Sequence, residues 1–470
     1  MIERLARWIT DLSTNDFTSA QIHQASLLLL DTIGCGVAGW AEPIAQACTG
    51  VVADEGGAPR CQIIGSALRT SLANAVLANG VLVRVLDLND YVIGDAASGG
   101  DMGGHPSDNI PVALACGEIA GSSGRPTSGR EVLEAIVLGY ELYGRLKRLM
   151  DRHAAWDGIT VSGAVAAGMA SRLLGLDAGR TAHAIALSLA RSATPAGVRS
   201  GHLSAAKSIA NALIAQNGVQ ATLLAARGVT GPLGLFEQKH GLQPVFVRAE
   251  TDRLAQLTDP LAEPTCIMGA HVKAYPCLAT GQSIVAAALD LHRQLAGDGK
   301  RLASARIVLA DYPTIIRQQN DPGRGDPRSR EAADHSFPFL AAVTLLDGQF
   351  GLAQFAGERW HDPRVRELMA RLTFANDPAW AATAPDAYPC RIEATTTDGQ
   401  RLAATCAYPP GFSRGGISSA AVLEKFEAVT APHLSSRARR AIVDAVLSLA
   451  ASPDLSAVTK AIAAPAHRAS

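Results

Sequence analysis

Apolar residues recur at helical spacing through almost all of the first 230 residues. The spacing predicts helices over 19–39, 71–86, 109–121, 129–150, 159–174, 179–192 and 204–227, and MIERLARWITDLS at the N-terminus alternates charged and apolar positions like a surface helix. Thr18 and Ser128 stand where N-caps belong, and glycine-bearing stretches such as GLDAGR and ARGVTGP separate the helices. Near residue 270 the pattern changes. KAYPC reads as a short strand or turn, an apolar helix follows at 280–296, and ARIVLADYPT reads as a strand. Helices are predicted at 335–347 and 362–373, and RIEATTTDGQRLAATCAYP holds two alternating runs around Asp398-Gly399, a hairpin pattern. From Ser418 the tail is helical again. The expected fold is mainly α: a large all-α helical domain, 1–268 and 412–470, with a smaller inserted α+β domain, 269–411. No repeat of solenoid period is evident.

One stretch breaks this order. Between two apolar runs, residues 86–109 read LDLNDYVIGDAASGGDMGGHPSDN, with five aspartates, five glycines and one histidine. An aspartate at a helix end, a glycine-permitted loop and a histidine before proline can bring Asp87 and His105 face to face. A carboxylate beside an imidazole fixes its tautomer and raises its basicity, which suits acid–base work near neutral pH. The plainer alternative is a polar helix end followed by a solvated loop.

Composition narrows the classes. The 470 residues are 48% hydrophobic and 5% aromatic, which favours packed helices over an aromatic-rich β-sandwich. Lys and Arg total 42 against 43 Asp and Glu, so bulk charge gives no reason to expect nucleic acid or an anionic membrane as partner. No uncharged apolar run of spanning length is evident, because Asp31 cuts the longest candidate, and no signal-peptide core precedes it. The expected location is cytoplasmic. The eight cysteines contain no CxxC or CxxH pair, so no zinc or iron–sulfur site is expected.

Three further clusters carry candidate chemistry. Lys207, in the first turn of a helix expected to start at Ser204, has Arg199 and His202 just upstream; a helix N-terminus with these cations suits a carboxylate. Lys273 lies between His271 and Tyr275 where the two regions meet, a common place for a ligand cleft. Asp334 and His335 precede an apolar helix that Asp334 could simply cap. Each has a plain structural explanation when taken alone.

Together these stretches resemble the MmgE/PrpD family, which includes 2-methylcitrate dehydratase and the cis-aconitate decarboxylases. The resemblance rests on LDLND with GHPSDN, on GYEL and WDGITVSGAVAAGMASRLLGLD, and on AAKSIANALIAQNGVQATLLAARGVTGP. KAYPC, ADHSFPFLAAVTLLDG, DPRVRELM, YPPG and the KF of LEKF continue it in order. It implies a helical domain with a smaller α+β lid, a homodimer, and a site that uses no cofactor or metal and acts on small di- or tricarboxylates. By motif position it implies Asp87, His105, Lys207 and Lys273 as catalytic residues, with Asp334 and His335 binding substrate; Arg199 and His202, from their place beside the Lys207 helix start, are expected to bind substrate as well. Three departures stand out. The loop between Asp87 and His105 is longer than usual for the family. Trp156-Asp157-Gly158 replaces a GWHPT-type motif whose histidine is not matched by His153. Phe339 stands where many members have tyrosine.

The expected reaction is dehydration of a hydroxy di- or tricarboxylate, with His105 oriented by Asp87 for proton transfer and the lysines and Arg199 as a fixed positive field. An epimerase, an isomerase or a decarboxylase would use a similar constellation. A non-enzymatic helical scaffold is the remaining alternative, without the heptad seam or charged tail such a protein would show.

Overall fold

Helix α2, which follows α1 (Ile2–Asp11) and spans Ser19–Ala38, shows how the patterning becomes a fold. In the computed structural model Thr18 accepts a hydrogen bond from the Gln21 amide, and the Gln21 side chain accepts one from the Thr18 amide at 2.8 Å. From Gln21 onward every residue of α2 except His23 is buried. The stretch Ser19–Ala41 is in fact long and apolar enough to cross a bilayer by composition, contrary to the sequence expectation. Yet 94% of its most apolar window is packed inside the protein. The Asp31 that interrupts it is also buried, and Lys425 neutralises it at 2.6 Å. The structure describes all residues except 94–102, 123–126, 150–155, 244–255, 262–265, 384–386, 413–415 and 465–470.

Around α2 lie α3 (Pro43–Glu55), α4 (Leu72–Arg84), α5 (Ile110–Ser122), α6 (Gly129–Leu149), α7 (Ser162–Leu174), α8 (Ala178–Leu189) and α9 (Ala206–Ala226). Ser128 and Glu131 form a capping box for α6, as their spacing suggests. A two-residue ladder joins β1 (Cys61–Gln62) to β2 (Arg69–Thr70).

A second hydrophobic core forms farther along the chain. Strands β5 (Leu302–Ala310), β6 (Leu372–Asp377), β7 (Cys390–Thr396) and β8 (Arg401–Cys406) make one sheet in the order β6-β5-β7-β8. β5 and β6 run parallel, and the other neighbours are antiparallel. The β7–β8 hairpin turns through Asp398-Gly399, where Gly399 has φ +85°. Helices α10 (Gln282–Gln294) and α12 (Phe337–Asp347) bury Ile284, Leu291 and Leu340 with Ile307 and Ile392 of the sheet; α11 (Pro313–Gln319) lies at its margin. The helix expected over 362–373 is shorter, α13 (Pro363–Met369), because Leu372 already pairs with Ala305 as the first residue of β6. Helices α14 (Ser419–Thr430), α15 (Ser436–Leu447) and α16 (Ser456–Ile462) then return to the first core, where Phe426, Val446 and Val458 pack in one cluster with Leu27 and Val137. The protein is mainly α with small sheets.

A short ladder ties the two regions. β3 (Tyr91–Val92) pairs antiparallel with β4 (Ala270–His271), Tyr91 opposite His271. It draws the chain just after Asp87 alongside the chain just before Lys273. The strand stops at His271, so KAYPC itself is a turn. His271 is absorbed structurally, stacked on Phe412 at 4.3 Å.

Candidate active site

Helix α4 ends at Arg84, and three residues later Asp87 adopts φ +51°, a left-handed conformation that Asp accepts more readily than most residues. Its carboxylate is a junction for three cations. Arg84 Nη1 and Lys273 Nζ each lie 2.5 Å from Oδ1, and Lys207 Nζ lies 3.2 Å from Oδ2. Lys273 also donates to the Asp87 carbonyl at 2.9 Å. All four side chains are at most 2% exposed. Burial opposes ionisation of Asp87, but Arg84, Lys207, Lys273 and His335 outweigh it and hold its carboxyl well below the usual range. Lys207 occupies the first turn of α9 as expected, although Ser204 provides no side-chain cap.

Asp334 does not cap α12. Ser336 does, accepting from the Phe339 amide, which leaves Asp334 free to receive Lys207 Nζ at 2.8 and 3.0 Å. His335 Nδ1 lies 3.1 Å from the same ammonium and against the Asp334 carboxylate. Burial and then Lys207 push His335 down to about 3, so its ring is neutral at physiological pH. Ligand atoms of Asp87, Asp334 and His335 lie within 4.8 Å of one another, a spacing that suits a metal ion. Lys207 Nζ is within hydrogen-bonding distance of all three residues, so an ammonium already fills that position.

His105 is positioned differently from the sequence expectation. Its Nδ1 lies 2.6 Å from the Asp90 carbonyl, which can only accept, so Nδ1 carries the hydrogen and Nε2 the lone pair. Asp87 Oδ1 is 3.9 Å from Nε2, too far for a hydrogen bond. The group that orients His105 is therefore Asp90, whose own carboxylate is anchored by Tyr140 Oη at 2.7 Å and by the Ser107 amide at 3.4 Å. Burial raises the Asp90 carboxyl to about 7. Burial, then Arg84 and Lys273, hold His105 well below the ordinary imidazole range. An imidazole held this low is neutral at physiological pH. Should it serve as a catalytic base, the plateau of kcat/KM is expected to continue through pH 6.5 without an acid limb there. A limb centred on 6.5 in a pH–rate profile would contradict the assignment.

A cavity of about 390 Å³ opens between the two cores. Asp87, His105, Arg199 and His335 line it. Lys207, Lys273 and Asp334 are not in its wall; they lie behind Asp87 and His335. His202 is exposed and is not part of the lining, so the structure does not join it to the others. Phe339 is wholly buried against Phe355 in the second core, so its departure from tyrosine leaves the described cavity wall unchanged.

Several wall residues escape the sequence reading. Tyr143 and Lys147 line the cavity from α6, one and two helical turns beyond Tyr140; that spacing was the available clue. Arg84 stands three residues before Asp87, while Arg317 and Arg324 come from the second core. Among the described residues the wall carries Arg84, Lys147, Arg199, Arg317 and Arg324 against Asp87, Asp108 and Asp157. Two glycines shape it. A Cβ at Gly104 would sit 1.9 Å from Tyr143 Oη, and one at Gly158 would sit 2.0 Å from Lys147 Nζ. Asp157 of the Trp-Asp-Gly departure pairs with Arg199 at 3.0 Å. His153 and most of the long loop lie outside the described residues, though Val92 and Gly104 close the loop's base by mutual backbone bonds of 2.9 and 3.2 Å.

Fold and site together define a mainly helical protein with a cation-lined cavity that holds a neutral imidazole over a buried carboxylate. The chain belongs to the MmgE/PrpD family: the MmgE/PrpD N-terminal domain matches residues 3–254 and the MmgE/PrpD C-terminal domain residues 275–449. It is 26% identical to the 2-methylcitrate dehydratase of Salmonella typhimurium, covering 91% of this chain and 89% of that protein. It is 24% identical to the cis-aconitate decarboxylase of Mus musculus over 98% of this chain and 93% of that protein. The cis-aconitate decarboxylase-like protein oryM of Aspergillus oryzae is also 24% identical, over 96% and 95%.

Proposed function

We propose that this protein is a cofactor-independent lyase of the 2-methylcitrate dehydratase type, removing water from a hydroxy di- or tricarboxylate. The observation that carries the proposal is the His105 lone pair, held unprotonated in a cavity whose wall is richer in guanidinium and ammonium groups than in carboxylates. Loss of water needs a base for a C–H beside a carboxylate and fixed cations for the enediolate charge that develops. It also needs a proton for the departing hydroxide. Preplaced donors of this kind are each worth about 3 kcal/mol to the barrier. In our reading His105 Nε2 takes the carbon-bound proton, and Arg84 and Arg199 meet the growing charge. The His105 imidazolium so formed then returns its proton to the hydroxyl as the C–O bond breaks, leaving an alkene and water. Asp87 keeps its cations in register without itself changing protonation.

The proposal extends to organisation. Residues 1–268 with 412–470 act as the base, residues 269–411 act as a lid over the cavity, and the protein works as a homodimer. The family relationship and the position of the cavity between the two cores support this reading.

Purified protein offered a panel of hydroxy di- and tricarboxylates should raise ultraviolet absorbance as a conjugated alkene forms. Carbon dioxide release would replace dehydration by decarboxylation. Deuterium wash-in at constant absorbance would replace it by epimerisation.

A further inference from the structure

The KF of LEKF, Lys425-Phe426, lies near the middle of α14 and takes no part in the reaction described above. Neither residue lines the cavity. Phe426 is core: it is wholly buried, and a Cβ on Gly34 would lie 3.0 Å from its ring, so α14 meets α2 closely there. Lys425 needs another explanation. Its side chain is only 8% exposed, and its Nζ lies 2.6 Å from Asp31 Oδ1 of α2. The same Nζ donates to the Leu88 carbonyl at 2.7 Å, one residue beyond Asp87.

The chain from Asp87 to Asp90 lies in neither helix nor strand, so no regular ladder supplies donors to its carbonyls. Side chains from distant segments do so instead. Lys273 donates to the Asp87 carbonyl at 2.9 Å, Lys425 to that of Leu88, and His105 Nδ1 to that of Asp90 at 2.6 Å. The Asn89 side chain donates to Ser107 Oγ and Asp108 Oδ1, both at 2.8 Å, which ties this segment to the residues that follow His105. Asp87 opens the segment at φ +51°, a conformation that a residue with a Cβ adopts only where its surroundings hold it. A lysine suits the Leu88 position because one ammonium has three donors. Asp31 supplies its counter-charge while another N–H turns to the carbonyl. A pair that only joined α2 to α14 would need no third partner.

We propose that Lys425, held by Asp31, is a positioning residue for His105. Through the Leu88 carbonyl it fixes the Asp87–Asp90 segment, and with it the Asp90 carbonyl that sets the His105 tautomer. It touches no substrate. Its bearing on turnover rests on the lyase reading, whereas its hold on His105 does not. A helix from the last part of the chain thereby becomes a support of the candidate active site.

NMR of protein with isotope-labelled histidine ring nitrogens reads the His105 tautomer without substrate, the His105 signals being those lost in His105→Asn. The wild type at neutral pH should show a protonated Nδ1 and a bare Nε2. Lys425→Met combined with Asp31→Val exchanges the ion pair for apolar groups, a change that folds commonly tolerate. In that variant the His105 signals should move toward those of a ring sampling both tautomers, while the denaturant midpoint stays near that of the wild type. Its kcat should fall about 10- to 100-fold, with KM within about twofold, for the hydroxy tricarboxylate that the wild type dehydrates. If the double variant does not fold, Lys425→Gln carries the same test, because its shorter, uncharged side chain cannot hold Asp31 and reach Leu88 together. Unshifted His105 signals in a folded variant, a wild type without the Nδ1–H tautomer, or shifted signals at wild-type kcat would overturn the positioning role. Shifted signals in a protein that dehydrates nothing keep the hold on His105 and lose the lyase reading. Dehydration with unshifted signals keeps the reaction and loses the positioning role.

Discussion

His105→Asn should lower kcat by about 10²- to 10⁴-fold while leaving the fold and polycarboxylate binding nearly unchanged. Asparagine is the informative replacement because its side-chain amide can still donate to the Asp90 carbonyl, as Nδ1 does in the wild type, while the Nε2 lone pair is lost. Rate and affinity should therefore separate, with kcat collapsing and calorimetric Kd moving little. The same variant carries a stability signature of known sign. The folded-state pKa of His105 lies well below its ordinary value, so the unfolded chain binds a proton near pH 6.5 that the folded protein refuses. This contribution is fully present above pH 6.5 and declines as pH falls below it. In His105→Asn that acid-side decline should flatten. A variant with near wild-type kcat would remove His105 from the chemistry, whatever its stability.

Asp87→Asn should be the more damaging change to the fold. Arg84, Lys207 and Lys273 all rest on this one carboxylate at 2.5 to 3.2 Å, and none is more than 2% exposed. Removing the negative charge leaves buried cations without their shared counterion, and breaking a buried ion pair in this way typically costs about 3–5 kcal/mol. Asparagine tolerates the left-handed backbone nearly as well as aspartate, so the φ of +51° is not the source of the loss. A denaturant titration should show a lower midpoint, and activity should vanish because the positive field is no longer in register. Loss of activity with an unchanged midpoint would instead make Asp87 a chemical participant with no structural role.

Much of this organisation can be read along the chain. The Thr18–Gln21 and Ser128–Glu131 pairs announce the starts of α2 and α6, and Asp398-Gly399 announces the β7–β8 hairpin, because caps and two-residue turns depend on neighbours in sequence. The junction around Asp87 comes from residues 120 and 186 positions away, and only motif positions hinted that Lys207 and Lys273 would meet there. The structure places them behind Asp87 rather than in the cavity wall, where His105, His335 and the arginines lie. The helical spacing over 362–373 runs into the first two residues of β6 because its partner, β5, is remote and supplies the hydrogen bonds that local spacing cannot show. Asp90 orients His105 through a main-chain carbonyl, which no residue type encodes. Arg324 sits among Pro, Gly and Asp in a segment that reads as a plain turn; its place in the cavity wall appears only once the Arg199 carbonyl faces it.

The central claim concerns one cavity, one imidazole and a polycarboxylate. A crystal structure of the protein with a bound, unreactive tricarboxylate tests it most directly. The ligand should lie between the two cores, with a backbone carbon beside His105 Nε2, one carboxylate near Arg84 and another near Arg199. A tricarboxylate seated elsewhere, with His105 Nε2 facing only solvent or protein, would contradict it.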